Sequence, residues 1–456
     1  MADFDVDLLV IGFGKGGKTL AADRGRAGRR VLLVEQSDQM YGGTCINVGC
    51  VPTKSLVHLS TSPGSGEEDA WYRESIEVTA DLVAAMRQKN FTMLDQLDSV
   101  TVVTGKAKFI SPHEVVVTGG EVPLTVSAAV IVINTGATPV IPEFAAGLDL
   151  PGVYTSATLL QQAERPRRLA ILGAGNIGLE FAGIYAGYGS EVTVFDQSPA
   201  ILTREDPDVA AAVQDLLQDQ GVRFELGVSI DSLAEAGDVT SVVFQRNGAT
   251  EELLADAVLI ALGRRPLTDG LGLEAAGVAV TPHGAVEVNQ YLQSSQPHIY
   301  AIGDVNGGPQ FTYVSLDDYR IVKGHLAGEA TRATGDRGAI PTTLFITPPL
   351  SRIGLTERQA LESGYRLKVA SMLIAEMPAA PRYRITGDVR GFMKFVVDAD
   401  TDLILGCALL NTDSQELINL VSLAMRRQVT ASELREAIYT HPSSTEAFNT
   451  VLGKLD

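Results

Sequence analysis

Residues 5–17, DVDLLVIGFGKGG, predict the entrance to a dinucleotide-binding domain. The apolar run that ends at Ile11 is typical of a short buried parallel strand, and spaced glycines follow it directly. In such a turn the first glycine allows the tight bend, the second lets the backbone approach a pyrophosphate, and the third lets a helix pack on the strand. These three positions are Gly12, Gly14 and Gly17.

The residues after this turn complete a strand–helix–strand unit. A helix is predicted to about Ala27, and the apolar residues 31–34 predict a second strand that ends at Glu35. A carboxylate at that point can accept hydrogen bonds from an adenosine ribose. A glycine pattern alone is weak evidence, but strand, turn, helix, strand and terminal acid in this order predict a dinucleotide site.

The same arrangement recurs later in the chain. A strand is predicted at residues 169–172, a helix at Leu179–Tyr188, and a second strand that ends at Asp196. Two such units predict two dinucleotides, FAD in the first and a nicotinamide nucleotide in the second. The glycines of the second turn are Gly173, Gly175 and Gly178.

The charge at Asp196 bears on which nicotinamide nucleotide is used. An aspartate would repel a 2′-phosphate, and Gln197 and Ser198 supply no arginine to bind one, so the sequence favours NADH. Arg204 follows a few residues later and is able to reach a phosphate, which leaves NADPH open.

A pair of cysteines lies between the two units, in GGTCINVGCVPTK at residues 42–54. Cys45 and Cys50 stand at the predicted start of a helix, where free N–H groups stabilise a thiolate. The two thiols can open and close as a disulfide. A redox-active pair directly behind a dinucleotide site indicates electron transfer from a nicotinamide, through a flavin, to sulfur.

Zinc binding is the alternative for this pair. Structural zinc takes four ligands, and the other histidines and the third cysteine are dispersed along the chain. We therefore predict no bound metal. Cys407 lies in a predicted strand and is expected to be a small buried apolar residue, although its role stays open.

Three further turns are predicted to contact the cofactors. Thr135 and Gly136 follow a strand at the end of the first unit, and Gly263 follows a strand at the end of the second. A later strand runs into Gly303 and Asp304, and the carboxylate of Asp304 is expected to bind a ribityl hydroxyl.

Composition limits the class of protein. At 456 residues the chain is long enough for roughly three domains of about 150 residues, and the mixed pattern after residue 340 predicts an α+β domain. A net charge of −19 disfavours nucleic acid and anionic lipid as partners. No apolar run approaches the roughly 20 residues that span a bilayer, and the opening MADFDVDLLV lacks the features of a signal peptide. We expect a cytoplasmic protein.

These motifs together resemble the class I pyridine nucleotide-disulfide oxidoreductases, which include glutathione reductase, dihydrolipoamide dehydrogenase and mercuric reductase. The most specific elements are GGTCINVGCVPTK, the paired glycine turns, YAIGD at 300–304 and HPSSTE at 441–446. The resemblance implies an α/β protein with two Rossmann-like dinucleotide-binding domains and an α+β dimerisation domain. The implied domains are an FAD-binding domain at 1–149, an NAD-binding domain at 150–269, a central domain completing the FAD site at 270–339, and a dimerisation domain at 340–456.

Within this family, some stretches are most similar to the bacterial hypothiocyanous acid reductases, which are mercuric-reductase-like flavoproteins. The stretches are IGFGKGGKTLA (11–21), EQSDQMYGGTCINVGCVPTK (35–54), QFTYVSLDDYRIV (310–322) and FITPPLSRIGLTERQA (345–360). The similarity implies reduction of hypothiocyanous acid, a small electrophilic-sulfur substrate, in defence against oxidative stress. The last residues, 451–456, carry no cysteine pair, which departs from mercuric reductase.

The family's thiol chemistry maps onto named positions of this chain. Cys50 would face the flavin and receive electrons, and Cys45 would be the thiol that attacks the substrate. Lys54, one helical turn after Cys50, would pair with Glu180 near the flavin. The remaining implied cofactor contacts are Gly43, Thr44, Lys54 and Thr312.

The resemblance also implies an acid–base residue and a dimer. His441 would exchange protons with Cys45 and would be oriented by Glu446. In the family this histidine arrives from the other subunit, so a homodimer with the active site across the interface is expected. The peptide bond between His441 and Pro442 is predicted to be cis.

Other functions stay open on the sequence alone. The acceptor is alternatively another disulfide or a metal ion such as Cu(II) or Hg(II), because acceptor choice depends on pocket shape at the dimer interface. A redox-sensing flavoprotein with little turnover is an alternative of a different class. Asp317 and Asp318 resemble an acid–base pair, but a solvated or capping helix start is the favoured interpretation.

Overall fold

The computed structural model describes residues 2–62, 67–120, 122–145, 150–329, 331–378 and 380–455. The predicted boundary at residue 149 lies outside these ranges. The elements up to residue 145 are β1 (Phe4–Ile11), α1 (Lys15–Arg26), β2 (Val31–Glu35), α2 (Thr44–Asn47), α3 (Cys50–Leu59), α4 (Glu68–Asp95), β3 (Val100–Thr104), β4 (Lys106–Phe109), β5 (Glu114–Thr118), β6 (Leu124–Ile133) and β7 (Ala137–Pro139).

A parallel sheet forms the centre of this first unit. Its strands lie in the order β3-β2-β1-β6, with β5 and β4 continuing the sheet in antiparallel register. A strand from much later in the chain, Ile299–Ala301, pairs parallel with β6. Because the carboxyl ends of parallel strands meet at one edge, this topology brings Gly12, Glu35, Asn134 and Gly303 to the same edge of the sheet.

The second unit repeats the design. The elements from residue 150 to 329 are β8 (Val153–Thr155), α5 (Ser156–Leu159), β9 (Arg168–Leu172), α6 (Asn176–Gly187), β10 (Glu191–Asp196), α7 (Pro207–Asp219), β11 (Arg223–Leu226), β12 (Ser229–Ala236), β13 (Val239–Arg246), β14 (Ala249–Ala255), β15 (Ala257–Ile260), β16 (Arg264–Pro266), α8 (Leu273–Ala276), β17 (Ile299–Ala301) and α9 (Thr312–Leu326). The parallel sheet of this unit has the order β11-β10-β9-β15-β8, and an antiparallel three-stranded sheet, β12-β13-β14, is inserted before β15.

The helix of the second unit begins earlier than the sequence predicts. It starts at Asn176 instead of Leu179, so the third glycine of the turn, Gly178, lies inside the first helical turn. A Cβ atom on Gly178 would lie 1.9 Å from the carbonyl oxygen of Gly173. The glycine therefore allows the helix to pack directly on the preceding turn.

The C-terminal residues form an antiparallel sheet with its own core, as the α+β prediction requires. The elements of this domain are β18 (Thr342–Leu344), β19 (Leu350–Gly354), α10 (Glu357–Glu362), β20 (Leu367–Leu373), α11 (Pro381–Thr386), β21 (Phe392–Asp398), β22 (Ile404–Leu410), α12 (Ser414–Arg426), α13 (Ala431–Glu436) and α14 (Ala447–Leu452). The sheet order is β18-β19-β22-β21-β20, and buried side chains of the sheet and the following helices, among them Phe395, Val421 and Phe448, pack together. Cys407 is buried in β22, as predicted.

Candidate active site

The two cysteines lie on consecutive short helices. Cys45 is in the first turn of α2, and Cys50 is the first residue of α3. Gly42 and Gly43, just before α2, have φ of +99° and +78°, and a Cβ on Gly43 would lie 2.8 Å from the Cα atom of Gly14. The cysteine segment is thus packed against the first glycine turn, and both cysteines are free thiols.

The hydrogen bond between the two thiols shifts their pKa values in opposite directions. A hydrogen bond from Cys45 lowers the pKa of Cys50 to about 6, with further help from Thr312 and the charge of Lys54, against the opposing effect of burial. The same hydrogen bond and burial raise the pKa of Cys45. The oxygen of Thr312 lies 3.8 Å from the sulfur of Cys50. The hydrogen bond therefore favours the thiolate form at Cys50 and the protonated thiol at Cys45.

The predicted pairing of Lys54 with Glu180 is present in the structure. The Nζ atom of Lys54 lies 2.6 Å from Oε2 of Glu180 and 4.7 Å from the ring centroid of Phe345. The other oxygen of Glu180 accepts a hydrogen bond of 3.0 Å from the backbone N–H of Phe345. One carboxylate on α6 therefore joins the cysteine helix to the chain that follows β18.

His441 and Glu446 form a hydrogen-bonded pair in the C-terminal domain. Nδ1 of His441 lies 2.8 Å from Oε2 of Glu446, whose Oε1 accepts a 3.0 Å hydrogen bond from the backbone N–H of Ser443. Slight burial raises the pKa of Glu446, but these hydrogen bonds outweigh it and the net effect is a lowered pKa. The peptide bond between His441 and Pro442 is cis, as predicted. The His441 side chain is 71% exposed, and among the described residues no hydrogen bond links it to Cys45 or Cys50.

Asn134 organises the first glycine turn, and the sequence analysis missed it. Its Oδ1 accepts a 2.9 Å hydrogen bond from the backbone N–H of Gly17, and its Nδ2 donates to the carbonyl of Ile302 at 2.7 Å. A Cβ on Gly12, where φ is +103°, would lie 2.4 Å from the carbonyl oxygen of Asn134. The position of this polar residue at the end of β6, beside the predicted turn at 135–136, was the available indication.

The acidic residues that end the second strands are held in the same way in both units. Glu35 accepts hydrogen bonds from the backbone N–H groups of Phe13 and Gln36, at 2.9 and 2.8 Å. Asp196 accepts from those of Ala174 and Ser198, both at 2.8 Å. Each carboxylate is fixed beside its glycine turn, where an adenosine ribose is bound in this kind of fold.

The second glycine turn has open space where a dinucleotide would approach. Nothing lies within 4 Å of a Cβ built on Gly175, nor of one built on Gly136 or Gly263. The last two have φ of +75° and +102°. Because these glycines carry no side chain and no protein atom fills its place, a ligand has room to approach the protein backbone closely.

The remaining predicted cofactor residues lie at the edge of the first sheet. The hydroxyl of Thr135 donates to the carbonyl of Leu267 at 2.6 Å, and the backbone N–H of Gly303 donates to Oδ2 of Asp318 at 2.6 Å. Burial raises the pKa of Asp304, and the charge of Arg264 partly offsets this effect. Thr44 begins α2 directly after Gly43.

The favoured interpretation of Asp317 and Asp318 as a solvated or capping helix start is wrong. They lie inside α9 and are 7% and 1% exposed. Asp317 pairs with Arg332 at 2.6 Å and Arg337 at 3.0 Å, and Asp318 pairs with Arg337. Because Arg332 and Arg337 lie 15 to 20 residues after the aspartates with which they pair, helix periodicity alone gave no indication of the pairing.

Within the described ranges, no helix combines the length and the apolar character of a membrane span. No group of three or more histidine, cysteine, aspartate or glutamate side chains in those ranges is arranged to hold a metal ion.

Comparison with known proteins places these features in a family. The family model "Pyridine nucleotide-disulphide oxidoreductase" matches residues 6–318, and the dimerisation-domain model of the same family matches residues 340–452. A protein of Escherichia coli (strain K12) described as "Probable pyridine nucleotide-disulfide oxidoreductase RclA" is 43% identical over 441 residues, which is 97% of each chain. A mercuric reductase of Staphylococcus aureus is 32% identical over 97% of this chain and 81% of its own length. The structure described as "Cu(II) complex of HOCl-induced flavoprotein disulfide reductase RclA from Escherichia coli" matches with a TM-score of 0.93 and 42% identity, over 98% of this chain and 99% of that chain.

Proposed function

The chain belongs to the pyridine nucleotide-disulphide oxidoreductase family, and we propose that it is an FAD-dependent, NADH-oxidising reductase of hypothiocyanous acid. The observation that carries the proposal is the thiol pair Cys45–Cys50, packed against the first glycine turn with its negative charge on Cys50. The similarity to a protein described as an HOCl-induced flavoprotein disulfide reductase supports an oxidant-defence role.

The residues at both glycine turns fit the two dinucleotides. In the first unit, Gly12 and Gly14 keep Cβ atoms away from Asn134, and Glu35 is fixed beside the turn. In the second, Gly175 faces open space and Asp196 is fixed in the equivalent place. When bound, FAD would take two electrons from NADH and deliver them to the disulfide.

The thiols then carry out nucleophilic catalysis. The thiolate of Cys45 attacks the sulfur of hypothiocyanous acid, an S–S bond forms, and the S–O bond breaks. The oxygen leaves as water after a proton is supplied. The thiolate of Cys50 next attacks the sulfur of Cys45, releases thiocyanate and restores the disulfide. The two thiols are oxidised by two electrons, and the substrate sulfur is reduced by two.

This chemistry requires a base for Cys45, since its pKa is raised while Cys50 carries the charge. We assign that role to His441, held by Glu446, which would take the proton from Cys45 and donate it to the leaving oxygen. The pair lies in the domain that matches the dimerisation model, and we propose that it reaches the cysteines of a partner subunit in a cytoplasmic homodimer.

The test is steady-state oxidation of NADH and of NADPH by the purified flavoprotein with a panel of acceptors. The panel contains hypothiocyanous acid, glutathione disulfide, lipoamide, Cu(II) and Hg(II). Fast NADH-dependent loss of hypothiocyanous acid, with slow turnover of the others, supports the proposal. Cys45→Ser should abolish that turnover and retain flavin reduction by NADH, whereas Cys407→Ala should retain both, because Cys407 is buried in β22.

A Cu(II) reductase is the second candidate, favoured by the description of the related structure as a Cu(II) complex. Faster turnover of Cu(II) than of hypothiocyanous acid would replace the substrate and keep the thiol roles. Slow NADH oxidation with every acceptor would instead indicate a redox-sensing flavoprotein.

A further inference from the structure

Lys18 is a buried lysine that the proposed chemistry leaves without a role. It lies one residue after the last glycine of the first turn and is 4% exposed. Lysine is rarely buried without a partner, because its charge is costly to remove from water. Its ammonium donates to the carbonyl oxygen of Gly42 at 3.2 Å and to Oδ1 of Asn90.

Both partners of Lys18 are neutral groups. Asn90, on α4, is itself held by a 2.7 Å hydrogen bond from its Nδ2 to the carbonyl of Met86. A carbonyl and an amide oxygen satisfy two of the three donors of an ammonium without cancelling its charge. The positive charge of Lys18 therefore acts on its surroundings in a medium that screens it weakly.

The ammonium lies at the turn from which the attacking thiol emerges. Gly42 is three residues before Cys45, and the left-handed backbone at Gly42 and Gly43 sets the direction in which α2 starts. The Cγ atom of Asn90 lies 3.5 Å from the position of a Cβ on Gly42. Lys18 and Asn90 therefore both contact the turn at Gly42.

Electrostatic contacts connect Lys18 to Cys45. Burial lowers the pKa of Lys18 to about 8, the charge of Lys15 acts in the same direction, and Cys45 acts in the opposite one. Reciprocally, the charge of Lys18 lowers the pKa of Cys45, although the hydrogen bond to Cys50 and burial raise it more.

We propose that Lys18 is a positioning residue for Cys45. The ammonium of Lys18 fixes the Gly42–Gly43 turn, and its charge favours the thiolate form of the attacking thiol. The proposal rests on the proposed function for the role of Cys45. It makes a charge effect the distinguishing feature, since a purely structural role would require only the hydrogen bonds.

The experiment measures the ionisation of Cys45 without any natural substrate. In a Cys50→Ser background, the rate of Cys45 alkylation by iodoacetamide is followed against pH by mass spectrometry on the purified flavoprotein. Lys18→Met keeps the chain length and removes the charge. We expect the midpoint to rise by about one pH unit and the alkylation rate below the midpoint to fall about tenfold.

A second variant separates charge from structure. Asn90→Asp retains an oxygen acceptor for Lys18 and neutralises its charge in place, so the midpoint should again rise. Lys89→Met, on the exposed neighbouring position of α4, should leave it unchanged. The proposal is overturned if the alkylation midpoint of a folded Lys18→Met protein, or of the Asn90→Asp protein, lies within about 0.3 pH units of the parent's midpoint.

The outcomes keep this inference apart from the proposed function. If hypothiocyanous acid is not the acceptor, the alkylation result is unaffected. If Cys45 proves inert while Cys50 reacts in a Cys45→Ser protein, the assigned thiol roles are wrong whatever Lys18 does.

Discussion

Asp196 is held more firmly than a surface carboxylate at the end of a strand would be. Two backbone N–H groups, from Ala174 and Ser198, donate to its two oxygens. Its charge is therefore fixed where an adenosine ribose would lie, and it favours ribose hydroxyl donors while it repels a phosphate. The side chain of Arg204, which left NADPH open on the sequence, is exposed.

We predict that Asp196→Ala changes the choice of nicotinamide nucleotide. Loss of charged hydrogen bonds worth about 1.5–3 kcal/mol should lower kcat/KM with NADH roughly tenfold to hundredfold. The value with NADPH should fall less or rise. Parallel kinetics with both nucleotides check this, with the exposed neighbour Gln197→Ala as control. An unchanged NADH-to-NADPH ratio would contradict the specificity assigned to Asp196.

Single residues differ in how far the sequence reveals them. Glu35 and Asp196 could be predicted because each ends a strand at a fixed distance from a glycine turn. Lys54 and Glu180 are 126 residues apart, so only the resemblance to a family connected them. Asp317 and Asp318 were misinterpreted because two of their arginine partners, Arg332 and Arg337, come from a segment with no recognisable pattern.

Lys394 joins two helix starts to the C-terminal sheet. This residue of β21 is 3% exposed and lies 3.2 Å from Asp206, 2.8 Å from Asp208 and 3.0 Å from Glu357. Asp206, just before α7, also accepts hydrogen bonds from the first backbone N–H groups of α10, those of Glu357 and Arg358. Lys394 therefore connects the second α/β unit to the C-terminal domain through charged contacts.

We predict that Lys394→Met lowers the free energy of unfolding by about 2 kcal/mol near pH 7, because three carboxylates lose their shared cation. The loss is below the usual range for buried pairs because Asp208 and Glu357 are partly exposed. Chemical denaturation of the variant checks this, with the exposed Lys368→Met on the adjacent strand as control. Equal stability of the two variants would exclude a stabilising contact.

The pKa shifts of Asp206 and Lys394 determine how the stability difference between wild type and Lys394→Met depends on pH. Burial raises the pKa of Asp206, but hydrogen bonds from Glu357, Arg358 and Lys394 give a net lowering. Its stabilisation is present above the unfolded pKa of 3.8 and is lost as the pH falls through the folded value. Burial lowers the pKa of Lys394, but its acidic partners raise it overall, so that contribution is lost only at high pH. The difference in the free energy of unfolding between wild type and Lys394→Met should therefore become smaller below about pH 4, as measured by chemical denaturation at a series of pH values.

Long elements without a motif were the hardest to predict. Helix α4 buries Tyr72, Ser75, Ile76, Thr79 and Val83 on one face. Two of these residues are polar, so the apolar repeat that identifies an amphipathic helix is blurred. The glycine turns, by contrast, are local features whose geometry depends on a few residues, and they were located correctly.

The proposed active site needs two chains. The C-terminal domain exposes large apolar side chains in the single chain, including Ile385, Leu423 and Ile438. The same domain carries the His441–Glu446 pair. An α+β domain could be predicted from the sequence, but the strand order of its sheet could not, because that order depends on pairings between distant segments.

We predict that heterodimers reveal a shared site. When one chain carries Cys45→Ser and its partner carries His441→Gln, one intact site remains if histidine and cysteine come from different subunits, so about half of the wild-type turnover per dimer should persist. Differently tagged chains purified through both tags allow the measurement. The reciprocal control pairs a wild-type chain with a Cys45→Ser, His441→Gln chain and should be inactive. Activity in the control and none in the test would place the whole site within one chain.

The carboxylate of Glu180 limits how this architecture can be recombined. It accepts from Lys54 of the cysteine helix and from the backbone N–H of Phe345 while belonging to the second nucleotide unit. A chimera that takes one of these segments from a relative must therefore preserve both contacts of Glu180, the one with Lys54 and the one with Phe345. Domain exchange is therefore expected to succeed only when a carboxylate is kept at position 180.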